Sequence, residues 1–336
     1  MDYFTKLGTQ LAELCGAGEL DERFSEIAAQ LLEESPPPDD LDLQTVLDWV
    51  LQADKLPKQV NFNSGFGEPP LVVYQEPRFY LELLIWFPSR TGIHGHGFMG
   101  AFMVLSGYSI EAKYRFLEER EVCDGVKLGE LKPESVEVIA PGKVNRILKG
   151  DGFIHTVGHM GNPSMTLVVR NVNSKGARQF TYFPNGIAID RHLNYRSLAR
   201  QAQMLRAFGR VRPDAFDGRL RDFVANGNAH RAAMILRLLD DLLVDDRRLQ
   251  FLDHLRLQFG VLADQIGEAW SSQKRRRKIW RGFQLLNDPE AQLTAGLRDL
   301  FPDDEQLNWV LAKTYPDRPP EDTLAAWLKT ARNGSS

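Results

Sequence analysis

Eight short segments rich in β-branched and aromatic residues fill the middle of this chain, at residues 71–74, 80–87, 101–105, 109–116, 136–139, 145–148, 165–172 and 180–183. Gly, Pro and Asn turns separate them, and strands of that number and spacing are accommodated by a barrel or sandwich. On both sides the period changes. Phe4, Leu7, Leu11 and Leu14, then Phe24, Ile27, Leu31 and Leu32, recur at the spacing of three and four that marks amphipathic helices. Pro36, Pro37 and Pro38 interrupt the pattern and residues 41–54 restart it. Helical period returns after Tyr195, through 198–208, 220–225, 229–243 and 249–270, and runs on to Trp327. The expected architecture is α+β: a helical cap over residues 1–60, an antiparallel β-barrel over 61–195 and an all-helical domain over 196–336.

A chain of 336 residues is long enough for that division. Its 41 basic and 45 acidic residues leave a net charge of -4, so nothing global draws it to nucleic acid or to an anionic membrane. Cys15 and Cys123 stand far apart and build neither a disulfide framework nor a thiolate site, which points to a reducing, cytoplasmic compartment. The first residues lack the basic start and apolar run of a signal peptide, and no window reaches the roughly 18 apolar residues of a membrane span.

The chemistry concentrates in histidine. His94 and His96 follow the Thr91-Gly92 turn at the mouth of a strand; residues two apart share a strand face about 6 to 7 Å from each other, close enough for two imidazoles to meet one metal. His155, after the glycine-rich turn at 150–152 and opening an apolar strand, is the candidate third ligand. Three nitrogen donors leave coordination positions open, as iron chemistry requires. His159 would share His155's face about 13 Å along the strand, too far to join the metal and therefore structural or supporting. His192, His230 and His254 read as ordinary surface or core residues.

Over residues 74–182 the chain resembles the cupin superfamily, and within it the cysteine dioxygenase-like thiol dioxygenases. Three features carry the resemblance: Trp86 about eight residues before Ile93-His94-Gly95-His96, the strand ending at Ser106-Gly107 with Ile110 to Tyr114 after it, and His155 followed by Pro163 to Arg170. Gly100 and Ala101 stand where the common cupin motif carries a glutamate ligand; an all-histidine triad favours the thiol dioxygenase branch. The resemblance implies a jelly-roll barrel holding Fe(II), with Zn, Ni, Mn or Cu fitting the same ligands. The chain also departs from that family. Thr166, Val168 and Arg170 occupy the positions of its Ser, His and Tyr set, Glu76 the place of its substrate-carboxylate arginine, and Ala101 the place of its crosslinking cysteine. Those departures argue against cysteine itself as substrate.

Arg170 would point into the barrel on the face it shares with Thr166, where a guanidinium calls for an anionic substrate group; the alternative is an arginine at the strand end that reaches solvent or pairs with Glu82 or Glu111. Tyr108, Tyr114 and Tyr182 are candidate barrel-lining acids, and Arg170, Thr166 and Tyr182 complete the candidate catalytic set. The basic run from Lys274 to Arg281 reads as a solvated helix face that Trp280 could turn toward phosphate or RNA. Asp240, Asp241, Asp245 and Asp246, with Arg247 and Arg248, read as helix-surface charge. The leucines at 236, 238, 239, 242 and 243 read as core or dimer seam. The expected function is a mononuclear non-haem iron oxygenase using O2 on a small, anionic, chelating substrate. The alternatives are a redox-inactive metal cupin acting as isomerase or hydrolase, and a metal- or ligand-sensing cupin whose helical domain binds a protein or nucleic-acid partner through the Lys274 to Arg281 surface; that domain is also a candidate for homodimer formation.

Overall fold

A computed structural model describes residues 2–18, 20, 23–60, 66–160, 163–172, 178–283, 285–286 and 288–333. Three helices come first: α1 (Asp2–Cys15), α2 (Phe24–Glu34) and α3 (Leu43–Gln52). Asp42 caps α3 by accepting from the Thr45 amide. Twelve strands follow: β1 (Pro70–Gln75), β2 (Phe79–Trp86), β3 (Ser89–Arg90), β4 (Ile93–His96), β5 (Gly100–Ser106), β6 (Ser109–Cys123), β7 (Val126–Ile139), β8 (Val144–Ile147), β9 (Gly150–His159), β10 (Ser164–Asn171), β11 (Phe180–Tyr182) and β12 (Ile187–Asp190). Eight helices complete the chain: α4 (Tyr195–Val211), α5 (Phe216–Ala225), α6 (Ala229–Leu238), α7 (Asp245–Phe259), α8 (Val261–Phe283), α9 (Pro289–Leu300), α10 (Asp304–Thr314) and α11 (Pro320–Asn333). Among the described residues no helix is long and apolar enough to cross a membrane.

The strands make two antiparallel sheets, ordered β1-β2-β10-β5-β8 and β3-β9-β4-β11-β12-β7-β6. β6 also pairs with β9, so six strands of the second sheet close into a ring. The chain crosses repeatedly between the sheets: β2, β10, β5 and β8 neighbour one another in one sheet, and β4, β9, β6 and β7 in the other. Eight antiparallel strands in that order are a jelly roll.

Alternation along each strand sorts the side chains into an inner and an outer set. Leu81, Leu83 and Ile85 of β2, with Leu167 and Val169 of β10, face outward and bury against Phe4, Leu7 and Leu11 of α1 and Phe24 and Leu32 of α2. Leu84, Trp86, Phe102, Val104, Val157 and Val168 face inward and fill the barrel. The outer face of the ring sheet is covered by the C-terminal helices: Ile93, Ile110, Ala112 and Ile154 pack with Trp280, Leu293 and Leu297. A polar clasp fastens this seam, where Asp299 accepts from Arg90 of β3 (2.6 Å) and from the Trp280 indole (2.7 Å).

Several sequence expectations need correction. The long helix expected over 249–270 is two, because Gly260 at φ +57 ends α7 and lets α8 leave in a new direction. The hairpin β6-β7 runs on to Cys123 and begins again at Val126, through charged residues that carry no apolar run to betray a strand. Trp280 lies in the core, 1% exposed, which removes it as a stacking platform. Of the leucines expected as core or dimer seam, Leu236, Leu239 and Leu243 lie in the core of the helical layer, as the first of those readings had it.

Candidate metal centre

β4 and β9 bring the three histidines together. His94 pairs in register with His155, whereas His96 pairs with Gly150, so β9 carries extra residues between the two contacts. Such an irregularity re-aims side chains locally. Gly95 permits the approach, since a side-chain carbon there would collide with the Gly150 carbonyl. The result is a buried cluster in which one ring atom of each histidine lies within 4.8 Å of the others. The ring centroids stand 4.7, 4.9 and 5.0 Å apart.

Hydrogen bonds fix which nitrogen is free. The Nδ1 of His94 lies 2.8 Å from the Gly92 carbonyl, that of His155 lies 2.6 Å from Glu111 Oε1, and that of His96 lies 3.4 Å from the Phe153 carbonyl. Carbonyl and carboxylate oxygens only accept, so Nδ1 of His94 and of His155 carries the proton, and the longer His96 contact favours the same tautomer. The Nε2 lone pairs are left to a ligand. Burial holds His94 down to about 3, helped by the nearby His155, and holds His96 well below its ordinary value. Neutral imidazoles are the metal-binding form.

Glu111 is the residue that the sequence did not single out for this role. It sits on β6, wholly buried, and its other oxygen accepts from Asn145 (2.9 Å) and pairs with Lys113 (3.3 Å). Burial alone would raise its carboxyl; the hydrogen bond and charge of His155, with Lys113, outweigh that and hold it below the ordinary value. A carboxylate behind a ligating histidine orients the ring and strengthens it as a donor. The available signal was an acid on the inward face of a strand, between Ile110 and Ala112.

The other sequence candidates divide. Thr166 faces the interior, paired in register with Leu84 and Val104. Arg170 sits at the barrel end beside His96: its guanidinium lies 3.7 Å from the Phe98 ring centroid, and Phe98 packs edge-on against His96. Its Nη1 is 3.5 Å from Glu82 Oε2, the partner expected from sequence, while Glu111 is engaged elsewhere. The Arg170 Nε is buried with no partner among the described residues. Burial raises the Glu82 carboxyl, and Arg170 only partly counters it. Tyr182 must be corrected. It pairs in register with Ile93, while its neighbour Thr181 pairs with His94, so the two-residue period turns Tyr182 to the outer face, where it packs with Phe116. Tyr108 and Tyr114 lie in the same outer cluster. His159 stacks on Trp86 with centroids 4.0 Å apart and contacts Ser109 Oγ at 3.1 Å, outside the triad.

No family model matches the chain, and no curated protein matches it. Among solved structures, the hydroquinone 1,2-dioxygenase of Sphingomonas sp. TTNP3 aligns at 12% identity over 32% of this chain and 68% of its own, with a TM-score of 0.25. A cupin-2 domain protein from Shewanella frigidimarina aligns at 13% identity over 34% of this chain and 94% of its own, with a TM-score of 0.22. A cupin-superfamily sugar phosphate isomerase from Silicibacter pomeroyi gives 15%, 36%, 74% and 0.24. The strand order is what assigns the fold. The barrel is a cupin-type jelly roll. Within that barrel the histidines stand on β4 and β9 of the ring sheet and face Phe102 of the opposite sheet, 6.1 Å from His155. A cleft of about 320 Å³ between β6, β7 and the start of β9, lined by Lys113, Arg115, Glu134, Asp151 and Phe153, includes none of the three histidines, although the Phe153 ring stands 4.4 Å from that of His155.

Proposed function

We propose that this protein is a mononuclear non-haem iron(II) oxygenase that acts with O2 on a small, anionic, metal-chelating substrate, such as a thiol. The observation that carries the reading is the hydrogen-bond pattern at Nδ1, which turns three convergent Nε2 atoms toward one point with no carboxylate among them. His94, His96 and His155 would hold the metal, which when bound supplies one-electron chemistry with O2 and open positions for a chelating substrate.

The protein's own groups have separate tasks. Glu111 keeps the His155 ring in one tautomer and one orientation. Arg170, with its unpartnered Nε, offers a charge-assisted hydrogen bond to an anionic group beside His96. Phe98, Phe102, Phe153 and Val168 keep the interior apolar, which excludes bulk water and strengthens each polar contact made there. Thr166 contributes a hydroxyl to the same face.

Metal analysis of anaerobically purified protein, followed by oxygen uptake against a panel of small thiols and other chelators, tests the reading. About one iron per chain with substrate-dependent uptake supports it, and His94→Ala, His96→Ala and His155→Ala should each lose the metal while the helices stay folded. Full metal retention in all three variants would remove the assignment of ligands. A second reading is favoured by Glu82, a buried interior carboxyl pushed upward and so suited to proton transfer. On that reading the centre is a Lewis acid for isomerisation or hydrolysis, and turnover persists with zinc and without oxygen.

A further inference from the structure

Beyond the barrel, α6, α7 and α8 line an open cleft of about 740 Å³ whose walls carry seven basic side chains against Asp240 and Asp245. Its origin is plain in the sequence. No acid occurs between Glu268 and Asp288, and Lys274, Arg277, Lys278 and Arg281, spaced at three and four, fall on one face of α8 that lines the cleft. Trp280 and Arg276 point the other way, the former into the core and the latter toward Arg90 and Asp299.

The available acids do not neutralise this face. Asp240 pairs with Arg248 (3.1 Å) and Lys274 (2.8 Å). Arg237, Arg275, Arg277, Lys278 and Arg281 have no carboxylate within ion-pair distance among the described residues. Behind them, just past β12, Arg191 has a buried Nε without a hydrogen-bond partner. Burial, together with the neighbouring Arg237 and Arg277, holds Arg191 down to about 9. Like charges gathered around a desolvated guanidinium are costly without a counter-anion.

We propose that this cleft binds a small phosphorylated anion through Arg237, Arg277 and their neighbours. Several arginine forks facing one space match the several oxygens of phosphoryl groups. The volume falls within the roughly 300–1,000 Å³ of small-molecule sites. A single-stranded nucleic acid would want an exposed aromatic to stack on, and Trp280 is buried. The cleft adjoins the histidine cluster through Gln273, whose amide lies against Gly92, but the proposal does not depend on which metal the histidines hold.

Isothermal titration of the full chain with inorganic pyrophosphate, at fixed ionic strength, is the direct test. The expected result is saturable binding at one site, weakened about tenfold or more in Arg277→Glu and in Arg237→Gln, as loss of one charge-assisted hydrogen bond implies. Lys132→Glu, on an exposed stretch of β7, should bind as the wild type does. Arg277 is exposed, so Arg277→Glu decides the matter if Arg237→Gln fails to fold. Absence of saturable binding, equal binding of sulfate and pyrophosphate, or unchanged affinity in Arg277→Glu would overturn the proposal. Tighter binding of a single-stranded RNA that displaces pyrophosphate would overturn it in favour of a nucleic-acid site.

Discussion

Glu111→Gln isolates the contribution of charge behind the metal centre, because the substitution keeps shape and removes the carboxylate. In the native arrangement one oxygen accepts a hydrogen bond from His155 Nδ1 at 2.6 Å and the other serves Asn145 and Lys113. A glutamine can satisfy only one side. With its oxygen toward His155, its amino group meets the Asn145 donor and the Lys113 ammonium; turned over, it presents donors to the His155 proton. Lys113 retains Glu137 at 3.1 Å, so the loss centres on His155 and Asn145. Partners of this kind are worth about 10–100-fold in metal affinity, or about 1.4 to 2.8 kcal/mol at 1.4 kcal/mol per decade. Competition between the metal-free protein and a chelator of known affinity, with cobalt(II) as a spectroscopic probe, measures this directly. The metal-free fold should also lose about 1–3 kcal/mol at neutral pH. Because the folded carboxyl is held below the ordinary 4.5, its stabilisation is full above that value and is lost as pH falls through the depressed one. The stability gap between Glu111→Gln and wild type should therefore close in acid. Unchanged cobalt affinity in a folded Glu111→Gln protein would refute the argument that Glu111 supports a ligand.

Three further outcomes follow from the same geometry. His94 and His159 stay neutral in the fold down to about 3, whereas an unfolded chain protonates near 6.5; urea midpoints of metal-free protein should be highest above pH 6.5 and fall steadily toward pH 4, and a flat profile would contradict the burial argument. Arg170→Ala leaves Glu82 buried with its principal cation gone and should cost about 3 kcal/mol; Glu82→Gln added to it should recover part of that loss, and additivity of the two in a double-mutant cycle would show that the pair is not coupled. Gly158→Ala drives a methyl into the Trp280 ring and should destabilise by about 1–3 kcal/mol through overpacking, read as a lowered melting temperature. No change there would mean that the α8 seam yields easily.

Legibility in the sequence tracked how far each feature depends on local pattern. The histidine pair was visible because a two-residue repeat on a strand is a local rule, and His155 because a glycine turn and an apolar strand surround it. Thr166 and Arg170 were rightly placed inward by the same rule, since β10 is continuous from Ser164 to Asn171. Tyr182 went wrong for want of register: three residues of β11 do not reveal their face until Thr181 is known to pair with His94. Glu111 was hidden by a different cause. Its meaning comes from β6 lying beside β9, a pairing between residues 44 apart in the chain. The basic run shows the complementary limit: one face of α8 was legible as charged, but only the packing of α6 and α7 turns that face into the wall of a cleft, and only the fold buries the Arg191 Nε without a hydrogen-bond partner. Periodicity thus assigns a side chain to a face, and what the face means is decided by the element that the fold sets opposite.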